Sequence, residues 1–136
     1  MPRKPRALVL DSWAVLAYLG GEATGQEVAN LITSAHENRI PMYMSVINAG
    51  EVWYILAREI SEAQADSAVT DLTALGIQLI DADWPLTRMA GTCKARHRMS
   101  YADCFAAVLA KDRKCDLVTG DKEFKQVEKE VSIRWL

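Results

Sequence analysis

Four acidic residues of this sequence lie beside or within apolar segments, where a carboxylate is available to bind a cation. Asp11 follows the apolar run ALVL and Asp121 follows LVTG, whereas Glu51 and Asp103 fall within apolar helical patterns. Neither Glu51 nor Asp103 has a basic residue three or four positions away, where a helical partner would lie. Carboxylates that converge in apolar surroundings are stable only when they are protonated or bound to metal. Since histidine clusters are absent, the oxygen ligands favour a hard cation.

Each acid also has an explanation that involves no metal. Ser100 and Asp103 match a helix capping box in which Asp replaces Glu. Glu51 can face solvent, Asp11 can simply end a strand, and the T-G-D at 119–121 can be only a turn. One shared site accounts for all four acids together.

The basic residues are concentrated in one part of the chain, although the formal net charge is −2. Residues 88–125 contain nine basic and five acidic side chains. If Asp103 and Asp121 bind a cation, this segment has a strong positive excess, which suits a polyanion such as nucleic acid. A solvated charged face on two helices explains the same pattern equally well.

Other functional classes lack their motifs. No apolar run approaches the ~20 residues of a membrane span. Residues 1–6 are interpreted as a short basic lead into a first strand, which predicts a cytoplasmic protein. His36 and His97 are far apart and the three cysteines form no C-x-x-C, so we predict reduced, buried thiols and no zinc site. Dinucleotide and P-loop motifs are missing, and D-S-W at 11–13 lacks the second acid of an aspartyl phosphatase.

Strands and helices alternate along the predicted chain. Strands are predicted at 7–10, 41–44, 77–81, 116–119 and 132–136, and helices at 13–19, 22–38, 46–60, 61–76, 84–97 and 100–114. This order predicts one α/β domain over residues 1–136, with a parallel sheet covered by helices on both faces. Because ligands gather at the carboxyl ends of parallel strands, Asp11 and Asp121 are expected at the same edge.

Four segments together resemble a known family. They are LVLDSWAVLAYL at 8–19, SVINAGEVWY at 45–54, RHRMSYADCFAAVLAK at 96–111 and LVTGDKEF at 117–124. In their order and separation they resemble the PIN-domain ribonucleases, and most closely the VapC-type toxins of type II toxin–antitoxin pairs. The resemblance implies a three-layer α/β/α sandwich around a five-stranded parallel sheet.

The resemblance also implies a role for each site residue. Asp11, Glu51, Asp103 and Asp121 match the family's acids, which bind Mg²⁺ or Mn²⁺ and support RNA phosphodiester hydrolysis to 3′-hydroxyl and 5′-phosphate ends. Asp11 and Asp103 are expected to be the direct ligands, because Mg²⁺ usually takes one or two carboxylates and keeps several waters. The hydroxyl and amide groups expected behind the ligands are Ser12, Ser45, Asn48, Ser100 and Thr119. The candidates for phosphate contacts are Arg96, His97, Arg98, Lys122 and Lys125.

Partners follow from the same resemblance. The helices at 13–19 and 52–56 have more apolar side chains than one buried face needs. Core packing is the first explanation, and the second is a groove that accepts an amphipathic helix of a cognate antitoxin. A homodimer is also implied. Trp13 is bulkier than the resemblance leads us to expect beside the first acid. The alternatives are a non-catalytic RNA- or protein-binding module and a solitary PIN nuclease without an antitoxin.

Overall fold

The computed structural model describes residues 5–136, and within them five strands form one parallel sheet. The basic lead expected at the N-terminus falls mostly on residues 1–4, outside the described residues. The sheet order is β3-β2-β1-β4-β5. The strands are β1 (Leu8–Leu10), β2 (Met42–Ser45), β3 (Ile77–Ile80), β4 (Asp116–Thr119) and β5 (Ile133–Trp135).

Six α-helices and one 3-10 helix connect the described strands. They are α1 (Ser12–Leu19), α2 (Ala23–Glu37), α3 (Val46–Glu59), α4 (Glu62–Ala74), α5 (Trp84–Arg96), α6 (Tyr101–Arg113) and the 3-10 helix Lys122–Val127. A short polar side chain at the N-cap accepts a main-chain N–H at five of the α-helices: Asp11, Ser45, Ser61, Asp83 and Ser100. Such caps satisfy amides that have no partner within the helix, and so fix where each helix begins.

Successive residues of β1 point into two separate hydrophobic cores. Val9 packs with Phe105, Leu117 and the rest of the layer formed by α5 and α6. Leu8 and Leu10 pack with Val28, Leu72 and the layer of the first four helices. Because alternate residues of a strand face opposite sides, the sheet is the middle of three layers. The α/β/α sandwich with a five-stranded parallel sheet is confirmed.

The strand order reverses direction between β1 and β4, near the centre of the sheet. From β1 the chain adds β2 and then β3 on one side, and later β4 and β5 on the other. Leu10 pairs with Val118, so the two strands end almost level. A crevice at such a switch point is where open α/β sheets usually bind their ligands.

The structure differs from the sequence prediction mainly after β4. The predicted strands and α-helices are present with boundaries that differ by one or two residues, but the 3-10 helix was not predicted. Cys93, Cys104 and Cys115 are free and buried, as expected. None of the helices in residues 5–136 has the length and apolar character that crossing a membrane requires.

Candidate metal centre

Asp11 lies at the end of β1 and caps α1. Its side chain is almost entirely buried, at 1% exposure. Asp11 Oδ1 accepts the Ala14 N–H at 2.8 Å, and Oδ2 accepts the Thr119 hydroxyl at 2.5 Å. The first turn of α1 and the end of β4 therefore hold this carboxylate from two sides.

Burial raises the pKa of Asp11 from 3.8 to about 7. The hydrogen bonds from Thr119 and Ala14 oppose this rise, while the negative charges of Asp103 and Asp121 add to it. The carboxylate of Asp11 thus lies close to two other acids in an environment that disfavours its charge. A divalent cation would remove that penalty.

Three acids form the tightest cluster at the same edge of the sheet. One carboxylate oxygen from each of Asp103, Asp121 and Glu123 lies within 4.8 Å of the other two. Asp103 is buried in the first turn of α6, Asp121 is partly buried, and Glu123 is exposed. The cluster therefore opens toward solvent on the side of Glu123.

Glu123 is a site candidate that sequence reasoning missed. Asp121 caps the 3-10 helix by accepting the Glu123 N–H at 3.0 Å, and its own N–H donates to Thr119 Oγ1 at 3.0 Å. This tight turn brings the Glu123 carboxylate back beside Asp121. The available signal was the acid two positions after T-G-D, since a short cap-and-helix turn places such side chains together.

The pKa of Asp103 is raised from 3.8 to about 7, first by burial and next by the charge of Asp121. The Ser100 hydroxyl lowers it, and Glu51 and Glu123 raise it further. Glu51 is half-buried on α3 and its charge acts on Asp103, but its carboxylate is not part of the 4.8 Å cluster. Asp103 thus interacts electrostatically with each of the other three predicted acids.

Asn48 connects the helices that carry these acids. Its side-chain amide nitrogen donates to Ser12 Oγ at 3.2 Å and to the Ala102 carbonyl at 3.1 Å. The Ser12 hydroxyl in turn donates to the main-chain carbonyl of Asn48 at 3.1 Å. Asn48 therefore ties the residue after Asp11 to the residue before Asp103. Its Oδ1 is buried and has no partner among the described residues.

The hydroxyls of Ser45 and Ser100 contact main-chain amides. Ser45 Oγ accepts the Ile47 N–H at 3.1 Å, and Ser100 Oγ accepts the Asp103 N–H at 3.1 Å. Ser100 therefore caps α6, and this capping coexists with the position of Asp103 in the acid cluster. Both serines stabilise the beginnings of α3 and α6.

The predicted phosphate-binding residues divide into two groups. Lys122 and Lys125 are exposed on the 3-10 helix, on either side of Glu123. Arg96 and His97 instead line a cavity of about 260 Å³ between α5 and α6, and His97 Nε2 lies 4.0 Å from Glu130. Arg98 is exposed in the loop between α5 and α6, and its main chain bonds to the 3-10 helix.

Gln126 makes that connection. Its side chain accepts the Arg98 N–H at 3.1 Å and donates to the Arg98 carbonyl at 3.1 Å and to the Glu123 carbonyl at 3.3 Å. This double hydrogen bond fixes the α5–α6 loop against the 3-10 helix. The backbone of Arg98 is consequently linked through Gln126 to the backbone of Glu123.

The residues present fit a hard divalent cation. All the converging ligands are oxygens, which Mg²⁺ and Mn²⁺ prefer, and two of the carboxylates are buried. Within residues 5–136 no Lys or Arg forms an ion pair with them, so no basic side chain of that part of the chain neutralises their charge. The buried, unpartnered Asn48 Oδ1 offers a further acceptor for a water beside such an ion.

Comparison with known proteins agrees with this architecture. The family model described as PIN domain matches residues 8–130 of the chain. Among curated proteins, none matches the sequence.

Several solved structures with the same fold come from VapBC toxin–antitoxin systems. VapBC2 from Rickettsia felis, bound to a DNA fragment from its promoter, contains a chain with a TM-score of 0.75 and 17% identity, covering 94% of this chain and 97% of that one. A chain of DNA-bound VapBC from Salmonella typhimurium has a TM-score of 0.72 and 19% identity, and the match covers 94% of this chain and 96% of that one. The sarcin–ricin loop cleaving toxin VapC20 from Mycobacterium tuberculosis has a TM-score of 0.69 and 17% identity, and the match covers 89% of this chain and 95% of that one. At these identities the similarity establishes the fold.

Proposed function

Because this chain belongs to the PIN-domain family, we propose that it is a metal-dependent endoribonuclease that hydrolyses RNA phosphodiester bonds. We further propose that it is the toxin of a type II toxin–antitoxin pair and acts in the cytoplasm, where its RNA substrate is found. The observation that carries the nuclease proposal is the convergence of Asp103, Asp121 and Glu123 within 4.8 Å, beside the buried Asp11.

The proposed cofactor is Mg²⁺ or Mn²⁺. Asp103 and Asp121 are the best-placed ligands, with Glu123 as a third on the exposed side. Asp11 remains a proposed ligand, because each oxygen of a carboxylate that accepts one hydrogen bond keeps a further lone pair. Glu51 is proposed to act through a bound water. When bound, the cation would lower the pKa of a water and neutralise charge on the scissile phosphate.

The protein's own residues would orient the substrate around this centre. Thr119 holds the Asp11 carboxylate in place, and Asn48 fixes the relative positions of α1 and α6. Lys122, Lys125 and Arg98 are exposed next to the acids and are proposed to bind the RNA backbone. Such contacts position a nucleic acid without selecting its sequence. No side-chain general base is proposed.

The toxin proposal is supported by the fold and by an apolar surface. The Rickettsia and Salmonella relatives are VapBC complexes, so a protein of this fold occurs there with a partner. In this chain Leu16, Tyr18 and Leu56 are only partly buried on α1 and α3, and Tyr54 is 43% exposed. These side chains are proposed to accept an amphipathic helix of the antitoxin. The homodimer remains a prediction, which light scattering on the purified protein tests.

A cleavage assay with matched variants tests the nuclease proposal. Asp11→Asn and Asp103→Asn keep the size of each side chain and remove its charge, so both should lose RNA cleavage in Mg²⁺ or Mn²⁺. Asp112→Asn is the control, because Asp112 is exposed at the far end of α6. If wild-type cleavage equals that of both site variants, the non-catalytic binding module replaces this proposal.

The antitoxin proposal has its own test. Expression together with the product of an adjacent small reading frame should yield a stable complex in which RNA cleavage is suppressed. Tyr54→Asp should weaken this complex because it places a charge on the proposed groove, while leaving cleavage by the free protein unchanged. Cleavage without any such partner gene would favour a solitary PIN nuclease.

A further inference from the structure

Trp13 is exposed although the residues around it in α1 are buried. Ser12, Ala14 and Val15 are each at most 4% exposed, whereas Trp13 is 38% exposed. Trp13 is not among the residues that form the two hydrophobic cores of the described part of the chain. Burial in a core therefore does not by itself explain a tryptophan at this position.

The indole instead lies against the main chain of Gly120. A Cβ atom at Gly120 would be 2.3 Å from Trp13 Cη2 and 2.4 Å from Cζ3, which is far too close. Gly120 does not have a positive φ, so its backbone conformation alone does not require glycine. The space occupied by the ring is what requires it.

This contact places the ring at the edge of the acid site. Gly120 is flanked by Thr119, which donates to Asp11, and by Asp121, which belongs to the acid cluster. The indole N–H of Trp13 has no partner in residues 5–136, whereas that of Trp53 donates to Asp66 at 2.8 Å. Trp13 thus offers an anchored aromatic surface that is 38% exposed.

We propose that Trp13 is a stacking platform for the nucleobase beside the scissile phosphate, an inference that rests on the RNA cleavage proposed above. Aromatic side chains bind single-stranded nucleic acid by stacking, and they tolerate any base because every base has a π-face. A neutral surface is useful here since the surrounding acids repel the RNA backbone. Stacking supplies affinity next to the acids without adding charge.

Stacking on Trp13 requires a base that is free to leave its neighbours. A base inside a duplex is already stacked and paired, so it reaches a side chain only after it leaves the helix. The RNA cut by this protein is therefore expected to have an unpaired nucleotide at the cleavage point, in a loop or a single strand. A continuous duplex of the same sequence is a poor substrate.

The experiment compares variants on RNA that lacks a single base. A randomised single-stranded oligoribonucleotide pool with Mn²⁺ first identifies a sequence that the wild type cuts. That oligonucleotide is then made with an abasic nucleotide at each position around the cut. Trp13→Ala and Trp13→Phe are measured beside Trp84→Ala, a control at an indole that is 72% exposed on α5. Thermal melting verifies that each variant is folded.

The stacking role predicts a specific pattern of losses in kcat/KM. Trp13→Ala should lower kcat/KM about tenfold, mainly through KM, while Trp13→Phe retains most of it and Trp84→Ala all of it. One abasic position should cost the wild type about tenfold, and the same position should cost Trp13→Ala less than about twofold.

Other outcomes overturn the inference. Equal abasic penalties in wild type and Trp13→Ala, or full activity of Trp13→Ala, would make Trp13 a packing or protein-contact residue. If the wild type fails to cut any RNA with Mn²⁺ or Mg²⁺, the proposed function fails first, and the inference fails with it.

Discussion

Thr119 Oγ1 donates a 2.5 Å hydrogen bond to Asp11 Oδ2 and thereby joins residues 108 positions apart in the sequence. The same hydroxyl oxygen accepts the Asp121 N–H at 3.0 Å. One side chain at the end of β4 therefore aligns two of the site's acids. It is also the largest influence that keeps the pKa of Asp11 from rising further.

Removing this hydroxyl should shift the pH dependence of metal binding. Thr119→Val preserves the side-chain shape but removes the hydrogen bond, so the pKa of Asp11 should rise above about 7. Because the cation requires the ionised carboxylate, Mn²⁺ affinity at neutral pH should fall and recover only at higher pH. Calorimetric titrations between pH 6 and 9, with Thr119→Ser as the control that keeps the hydroxyl, measure this shift. Identical pH profiles of Mn²⁺ affinity for Thr119→Val and the wild type would contradict this role of the hydroxyl.

The stability of the metal-free protein should decrease as pH rises. The folded-state pKa of Asp103 is about 7, above its ordinary value of 3.8. Its contribution is therefore fully present below about pH 4 and is lost as pH rises through about 7. Asp103→Asn, which stays neutral, should be more stable than wild type at pH 8 in EDTA by on the order of 1–3 kcal/mol.

Urea denaturation at pH 5 and pH 8 measures this difference. Exposed Asp112 on the same helix supplies the control, since Asp112→Asn should change stability equally little at both pH values. A stability gain of Asp103→Asn that is the same at pH 5 and pH 8 would show that ionisation of Asp103 does not destabilise the folded protein.

Glu123 should contribute to metal affinity. Glu123→Gln removes one charge from the 4.8 Å cluster and should weaken Mn²⁺ binding about tenfold. Glu128→Gln is the matched control, because Glu128 is exposed at the end of the same 3-10 helix but outside the cluster. If the two variants bind Mn²⁺ equally, Glu123 is only a surface charge.

The contact between Trp13 and Gly120 should be visible as a stability coupling. Gly120→Ala puts a methyl group where the indole lies and should cost about 1–3 kcal/mol. In a Trp13→Ala background the same change should cost much less, because the ring is gone. Gly91→Ala is the control: a Cβ there meets nothing within 4 Å, so α5 should gain up to about 1 kcal/mol. Equal costs of Gly120→Ala in both backgrounds would contradict the contact.

Much of the site was predictable because the carboxyl ends of parallel strands meet at one edge. Asp11 and the T-G-D at 119–121 follow apolar strands, so their proximity follows from local patterns alone. The partnership of Asp11 with Thr119 depends on β1 lying next to β4, and that order is a property of the whole sheet. Local sequence does not encode it.

Two further features of the site could not be predicted from the sequence, for physical reasons. Glu123 reaches the cluster through a 3-10 helix that is too short to show an apolar period. Asn48 was expected behind the ligands, but its partners could not be predicted: its amide nitrogen donates to Ser12 and to the Ala102 carbonyl, which only the packing of α1, α3 and α6 brings together.

The most direct test of the metal centre is a crystal structure of the protein with Mn²⁺, located by anomalous scattering. One strong peak is expected between Asp103 and Asp121, with Asp11 and Glu123 facing it. A protein that binds Mn²⁺ only elsewhere, or in which these carboxylates pair with arginines or lysines, would contradict it.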